Sequence, residues 1–270
     1  MSTGQSVNKT DDILTINREA WNNQASQGKS PWVQPVDAQT VAAARSGQWS
    51  VILTPTRPVP AHWFGDISGR QLLALASGGG QQAPLFAAAG AQVTSFDNSD
   101  VQLARDAEVA QREGLSLILE QGDMADLSRF QDASFDLVFH PVANVFVPDV
   151  NPVWRECFRV LKPGGRLLAG FMNPCFYLFD HEDIATGGAF VARFKLPYND
   201  PDHLNAAQIR SRMQAGEAVE FSHSLDDQIG GQLAAGFVLH GFYEDHWDNE
   251  ATPLNQLMPT SMATLSIKPN

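Results

Sequence analysis

Short uninterrupted apolar runs alternate along this chain with stretches of helical periodicity. Leu72-Leu73-Ala74-Leu75 carries four apolar residues without a polar break, the pattern of a strand buried on both faces of a parallel sheet. The run breaks into Gly78-Gly79-Gly80, where the backbone turns tightly and lets another group approach closely. A helix is predicted over 82–89, closed by Gly90, and a second apolar strand over 91–96 ends on Asp97. Ser99, with Gln102 three residues on, makes a capping box for a helix that Gly114 ends. Apolar runs at 115–119 and 134–140 predict a third and a fourth strand. Asn151 as cap and Pro152 in the first turn open a helix with Val153, Trp154, Cys157 and Leu161 on one face. Pro163-Gly164-Gly165 stops that helix, and Arg166-Leu167-Leu168 enters a fifth strand. Strands alternating with helices predict an α/β layer fold.

The flanks are less regular. Residues 1–10 are polar, and 11–26 predict a helix with Ile13, Ile16, Ala20 and Trp21 toward one side. Residues 36–46 predict a short helix with Asp37 as cap and Gly47 as stop. Val51-Ile52-Leu53 and the proline-rich 54–60 then form a rigid crossing segment. Residues 175–222 read as an insertion, in which Phe190, Ala192, Phe194 and Leu196 alternate with Val191, Arg193 and Lys195. That alternation predicts a strand with one apolar face. Ser224 with Asp227 caps a helix reaching Ala235, Gly236-Phe237 opens a sixth strand to about Glu244, and 262–267 reads as the last strand. The chain divides into a leading helical segment (1–69), an α/β core (70–174), the insertion (175–222) and a closing segment (223–270).

One βαβ unit thus holds a glycine loop at the tip of its first strand and the carboxylate of Asp97 at the tip of its second. That geometry binds a nucleoside: the loop cradles a polar tail and the acid accepts ribose hydroxyls. A nicotinamide or flavin dinucleotide and S-adenosylmethionine both use it. The third glycine of a dinucleotide loop falls on Ala83, which is tolerable there, so the loop alone leaves both ligands open.

Downstream elements separate them. Gly122-Asp123-Met124 follows the third strand, Phe135-Asp136-Leu137-Val138 forms the fourth, and Leu161-Lys162-Pro163-Gly164-Gly165 precedes the fifth. With the glycine loop and Asp97, this succession over residues 70–172 resembles the class I S-adenosylmethionine-dependent methyltransferases. The whole chain is similar to a bacterial group of that class marked by L-A-S-G-G-G-Q-Q, F-D-N-S and D-Q-I-G-G-Q-L. The resemblance implies a Rossmann-like seven-stranded sheet, mostly parallel with an antiparallel end pair, plus a cap insertion. It implies that Ala76, Ser77, Gly78, Gly80 and Gln81 wrap the methionyl part of S-adenosylmethionine. Asp97 would hold the ribose with Asn98 beside it, and Gly122, Asp123 and Met124 would address the adenine. The chain departs from the family at two positions: Ala74 stands where an acid that helps seat the cofactor's amino group is usual, and Ala76 where the first glycine is usual.

Charge narrows the partners. The net charge of −12, from 18 basic and 30 acidic residues, argues against nucleic acid, whose binding rests largely on phosphate neutralisation. No stretch is apolar and long enough to span a bilayer, and Met1 to Thr10 lack a signal peptide's apolar core, so a cytoplasmic protein is expected. The two cysteines, Cys157 and Cys175, are read as reduced and buried. At the reacting end, His140 and Asn144 leave the fourth strand at the ligand-binding face. His140 is either a general base or a strand-end cap, and Tyr198 and His223 are further candidates for catalysis. His181, His203, His240 and His246 lack metal-ligand spacing, so no metal site is expected. Trp21 either covers the ligand mouth or anchors the first helix. Phe176, Tyr177, Phe190, Phe194 and Tyr198 either wall an acceptor pocket or fasten the insertion to the sheet. The reading is methyl transfer from S-adenosylmethionine to a small molecule. A non-catalytic cofactor-binding module and a nicotinamide-dependent oxidoreductase are the alternatives.

Overall fold

Strands β1 (Gln71–Leu75), β2 (Gln92–Asp97), β3 (Leu117–Gln121), β4 (Phe135–His140), β5 (Leu161–Met172), β6 (Val238–Asp245) and β7 (Ser261–Ile267) form a single sheet in a computed structural model that describes residues 9–28 and 30–270. The polar stretch 1–8 lies outside the described residues. The order across the sheet is β3-β2-β1-β4-β5-β7-β6. The first five positions are parallel, and β7 runs antiparallel between β5 and β6. The order reverses direction at β1, so β1 and β4 diverge into a crevice at their carboxyl ends, where α/β sheets bind ligands.

Helices cover both faces: α1 (Lys9–Gln27), α2 (Ala38–Arg45), α3 (Gln82–Ala88), α4 (Asp100–Glu113) and α5 (Asn151–Val160), then α6 (His181–Ala185), α7 (Asp200–His203), α8 (Ala206–Ala215) and α9 (Gly231–Ala235). The turns before α9, Asp226–Gly230, are π-helical. Along β1, Leu72 and Ala74 join one apolar cluster with Phe86 and Phe139, while Leu73 and Leu75 join the other with Trp154 and Leu167. The period of two in the pleat therefore sends alternate side chains into two cores, which is why the run had to be continuously apolar. Among the described residues no helix is long and apolar enough to cross a membrane.

Three expectations change on contact with the structure. Residues 190–196 form no strand; Ala192 makes one isolated bridge to Phe179, and the N–H groups of Arg193 and Phe194 both donate to the Leu178 carbonyl. The alternating pattern lacks a buried face to satisfy, since Phe190 is 44% exposed while Phe194 turns onto the rings of Tyr198 and His203. Asn151 is not the cap of α5: it is the first helical residue, and its N–H donates to Asp149 Oδ1 at 2.9 Å. Cys157 is buried in the core, but Cys175 is exposed.

The crossing segment 51–59 is seated on β5. A Cβ built on Gly170 would stand 2.2 Å from the Leu53 carbonyl oxygen, a backbone atom that cannot step aside. The far side of the same segment is held by Asp245 at the end of β6. Its carboxylate accepts from the Thr54 and Thr56 hydroxyls and the Thr56 and Arg57 N–H groups. Burial opposes ionisation of Asp245, but those four donors keep its carboxyl below the usual range. Gly170→Ala is expected to cost about 1–3 kcal/mol by overpacking. Urea denaturation would read this as a lowered midpoint at unchanged slope, and an unshifted midpoint would contradict the close seating.

Candidate functional site

The glycine loop is suspended between two carboxylates. Asp97, at the end of β2, accepts the Gly78 N–H on Oδ2 at 3.0 Å and the Ser99 N–H on Oδ1 at 2.9 Å. Asp106, on α4 and fully buried, accepts the Gly80 N–H on Oδ1 at 2.7 Å and the Ser95 hydroxyl on Oδ2 at 2.6 Å. The Ala76 and Gly79 N–H groups donate to the Phe96 and Gln102 carbonyls, so four donors of the loop have partners inside the protein. Glycine is obligatory at 78, where a Cβ would lie 2.8 Å from Gln102 Cβ and 3.1 Å from Asp97 Oδ2. Ala76 enters the left-handed region at φ 49°, a conformation that costs a Cβ-bearing residue about 1–2 kcal/mol. Ala74 lies wholly inside the core.

Above the loop lies a cavity of about 500 Å³. Of the cofactor residues expected from sequence, Ala76, Ser77, Gly78, Gln81, Asp97, Asn98, Gly122, Asp123 and Met124 all line it. Gly80 does not; it turns the chain away from the wall, its N–H on Asp106 and its carbonyl accepting from Val36 N at 2.8 Å. Gly122 donates to the Asp97 carbonyl at 3.0 Å, and a Cβ there would strike the Phe96 ring at 2.4 Å. Asp123 accepts the Ala125 N–H at 2.9 Å, and burial raises its carboxyl above the ordinary value. Asn98 donates to the Leu14 carbonyl at 2.8 Å and so ties α1 to the rim.

The far half of the cavity is built by segments distant in sequence. Trp21 on α1 meets the Phe146 ring edge-on at 5.3 Å, and both line the cavity. Trp32 and Trp247 make a second edge-on pair at 5.1 Å on its wall. Ile52, Leu53, Met172, Thr252 and Thr260 between β6 and β7, and Ser261 at the start of β7 complete it. Asn17 stitches this half together: its side chain donates to the Phe146 and Val219 carbonyls and accepts the Val219 N–H. Sequence reading missed Trp32, the 52–55 wall and the 247–261 segment. Trp32 and Trp247 stood as aromatic residues outside recognisable elements, and Ile52-Leu53-Thr54-Pro55 carried no comparable signal. Of the insertion's aromatics only Phe176 reaches the cavity; Tyr177, Tyr198 and Phe194 pack into a separate cluster, and Phe190 is exposed.

The three side chains expected at the reacting end are not brought to the cavity. His140 is fully buried, with Nδ1 3.0 Å from the Leu75 carbonyl oxygen and Nε2 2.7 Å from Asn144 Oδ1. Burial lowers its pKa, opposed by the Asn144 and Leu75 oxygens that its ring nitrogens face. His223 holds the Asn144 carbonyl at 2.8 Å, and its pKa is likewise lowered by burial. Tyr198 donates to Asp200 Oδ1 at 2.8 Å; burial, reinforced by that carboxylate, pushes its hydroxyl far above neutrality. These groups fasten strand ends and loops to one another. Among the described residues that line the cavity, Asp97 and Asp123 are the only ionisable side chains.

A methyltransferase domain model matches residues 73–169. The chain is 46% identical over 256 residues to the uncharacterized methyltransferase YbaJ of Bacillus subtilis, covering 95% of this chain and 98% of that protein. The fold is shared with a solved S-adenosylmethionine-dependent methyltransferase from Mesorhizobium loti, at TM-score 0.57 and 19% identity over 77% of this chain and 94% of that one. It is shared also with 1,6-didemethyltoxoflavin-N1-methyltransferase of Burkholderia thailandensis, solved with 1,6-didemethyltoxoflavin and S-adenosylhomocysteine, at TM-score 0.58 and 14% identity over 100% and 94% of the two chains.

The buried carboxylate under the loop gives a pH-dependent test. Desolvation raises Asp106 from 3.8 to about 7, aided by the nearby charge of Asp97 and opposed by the Ser95 and Gly80 hydrogen bonds. The neighbouring Arg105 makes no hydrogen bond to it; its two terminal NH2 groups donate to Glu108 and the Ala25 carbonyl. A folded-state value above the unfolded one contributes stability that is complete below about pH 4 and is lost as pH rises through 7. The slope between is about 1.4 kcal/mol per pH unit. Asp106→Asn keeps the hydrogen-bonding shape without the charge, so its stability relative to the parent should rise between pH 5 and pH 7.5 in urea denaturation. A difference independent of pH would contradict the buried-charge account.

By the full-length match to YbaJ, with the domain model over β1 to β5, this chain belongs to the methyltransferase family.

Proposed function

We propose that the chain transfers the methyl group of S-adenosylmethionine to a small, largely apolar acceptor within this cavity. The observation that carries the reading is Asp97. Each of its carboxylate oxygens accepts one internal N–H and retains acceptor capacity on a residue lining the cavity, which suits the two hydroxyls of a ribose. Ala76, Ser77, Gly78 and Gln81 of the loop, on the same wall, suit the rest of the cofactor. Gly122, Asp123 and Met124 on the same wall suit an adenine, an element that a nicotinamide dinucleotide would not call for.

When bound, S-adenosylmethionine supplies a methyl group already activated on a sulfonium. The protein's share is then placement and exclusion of water. Trp21, Trp32, Phe146 and Trp247 close an aromatic chamber over the carboxyl ends of the strands. Polar groups of that half are engaged internally: Thr54 on Asp245, Thr260 on Asn255, and Asn17 on backbone. No His, Lys, Tyr or Glu among the described lining residues stands ready to take a proton. The chamber suits an acceptor that presents its own lone pair, held by apolar contact. The segments 9–27 and 247–261 would form the lid and outer wall of this site, with the described residues of the insertion 175–222 adding Phe176 alone.

Thermal-shift titration with S-adenosylmethionine, S-adenosylhomocysteine, NAD and NADP tests the reading. The first two should stabilise the fold, by about 2.7 kcal/mol at a hundredfold excess over the dissociation constant, and the dinucleotides should not. Asp97→Asn should weaken S-adenosylhomocysteine by about 1.5–3 kcal/mol, the worth of hydrogen bonds to a charged group. Stabilisation by NAD alone, or an Asp97→Asn variant that binds as the parent does, would overturn it.

A further inference from the structure

Five aromatic residues line the outer half of the cavity: Trp21, Trp32, Phe146, Phe176 and Trp247. They include three of the chain's six tryptophans. All five are half-buried, whereas core rings such as Trp154, Phe86 and Phe139 have no exposed surface. Each of the five therefore keeps open surface at the cavity it lines. An edge-on contact covers one ring face of a pair, and both pairs here, Trp21–Phe146 and Trp32–Trp247, meet edge-on. Their remaining faces are left for a ligand. A ring face carries the negative end of the quadrupole and attracts cations, tryptophan most strongly. Charge in the cavity has the same sign. Among the described lining residues the ionisable side chains are Asp97 and Asp123, with no Lys, Arg or His. An anionic acceptor would enter beside two carboxylates with no cation to meet it.

Methyl transfer from a sulfonium sorts acceptors by charge and by proton. An acceptor with a proton on its reacting atom must hand it to a base, and the two carboxylates stand on the cofactor wall at the ends of β2 and β3, away from the aromatic half. A neutral acceptor without such a proton needs no base. Its lone pair forms the bond to the methyl carbon as the methyl–sulfur bond breaks and that bonding pair returns to sulfur. The positive charge passes from sulfur to the acceptor, and no proton is released. We propose that the acceptor is a neutral onium former, a tertiary amine or a thioether, which leaves the aromatic chamber as a permanent cation. The inference rests on the methyl-donor reading and adds to it the charge class of the acceptor.

The test is isothermal titration of the full chain loaded with S-adenosylhomocysteine, using three probes that share a phenol ring and differ in the head group. They are (4-hydroxyphenyl)trimethylammonium, its uncharged isostere 4-tert-butylphenol and the anion 4-hydroxybenzoate. The parent should bind the cation about tenfold more tightly than the isostere, and the anion more weakly than both. Trp21→Leu and Trp247→Leu should each reduce that preference by about threefold or more. Trp247→Tyr should largely retain it, since a tyrosine face also attracts cations. A packing role would not move the preference, because the cation and its isostere have the same shape. The chain made with 5-fluorotryptophan at all six tryptophans keeps the shape of its rings while their faces lose negative charge, and its preference should also fall. That measurement stands in for any leucine variant that fails to fold. Labelled methyl from S-adenosylmethionine should appear on N,N-dimethylaniline if the acceptor is an amine, and on thioanisole if it is a thioether. The inference is overturned by a parent that binds the isostere or the anion as tightly as the cation, or by a preference that neither leucine nor fluorination moves. Methyl transfer to phenol or benzoate, with none to the two onium formers, overturns it equally. Failure to bind S-adenosylhomocysteine overturns the methyl-donor reading itself, whereas normal loading without a cation preference overturns this inference alone.

Discussion

The carboxylate of Asp97 is the constraint on which the site depends. It sits at the end of β2 and binds the Gly78 N–H on one side and the Ser99 N–H on the other. The first bond fixes the glycine loop against the sheet, and the second fixes the entry of α4. Remove the acid and the loop loses its near anchor, α4 loses part of its cap, and the wall of the cavity loses its acceptor. Burial raises the pKa of this group, since desolvation outweighs its backbone hydrogen bonds. A second buried carboxylate, Asp106, holds Gly80 at the other end of the same loop. The loop is thus strung between two acids that repel one another, a costly arrangement that leaves its backbone little freedom to rearrange.

The outer half of the chamber depends on a different kind of bond, made across the length of the chain. Asn17 joins α1 to Val219 and Phe146, and Asp245 joins the end of β6 to residues 54–57. Each is a buried polar group with its capacity filled, so each specifies one arrangement of segments that have little regular structure of their own. The aromatic pairs Trp21–Phe146 and Trp32–Trp247 are positioned by these ties.

The parallel core was legible because its signals are local. The apolar run of β1, the capping serine at 99 and the left-handed Gly114 lie within a few residues of what they determine. The cofactor wall was legible for the same reason, since its residues sit at consecutive strand tips. The acceptor half was not, because its walls are joined by contacts between residues more than a hundred positions apart, such as Asn17 with Phe146 and Thr54 with Asp245. Residues 190–196 carried a strand's alternation and formed none, having no neighbouring strand to supply a ladder. His140 stood at the right strand end, but the pleat turned its ring inward to Leu75 and Asn144, and its position alone could not show that. Gln102 was read as half of a cap, which Asp97 pre-empted.

The most direct measurement of the central claim is a crystal structure of the full chain with S-adenosylhomocysteine. The account predicts the ribose hydroxyls within hydrogen-bond reach of Asp97, the adenine beside Asp123 and Met124, and the tail over Gly78. A nucleoside bound elsewhere, or one seated in the cavity with its ribose turned away from Asp97, would contradict it.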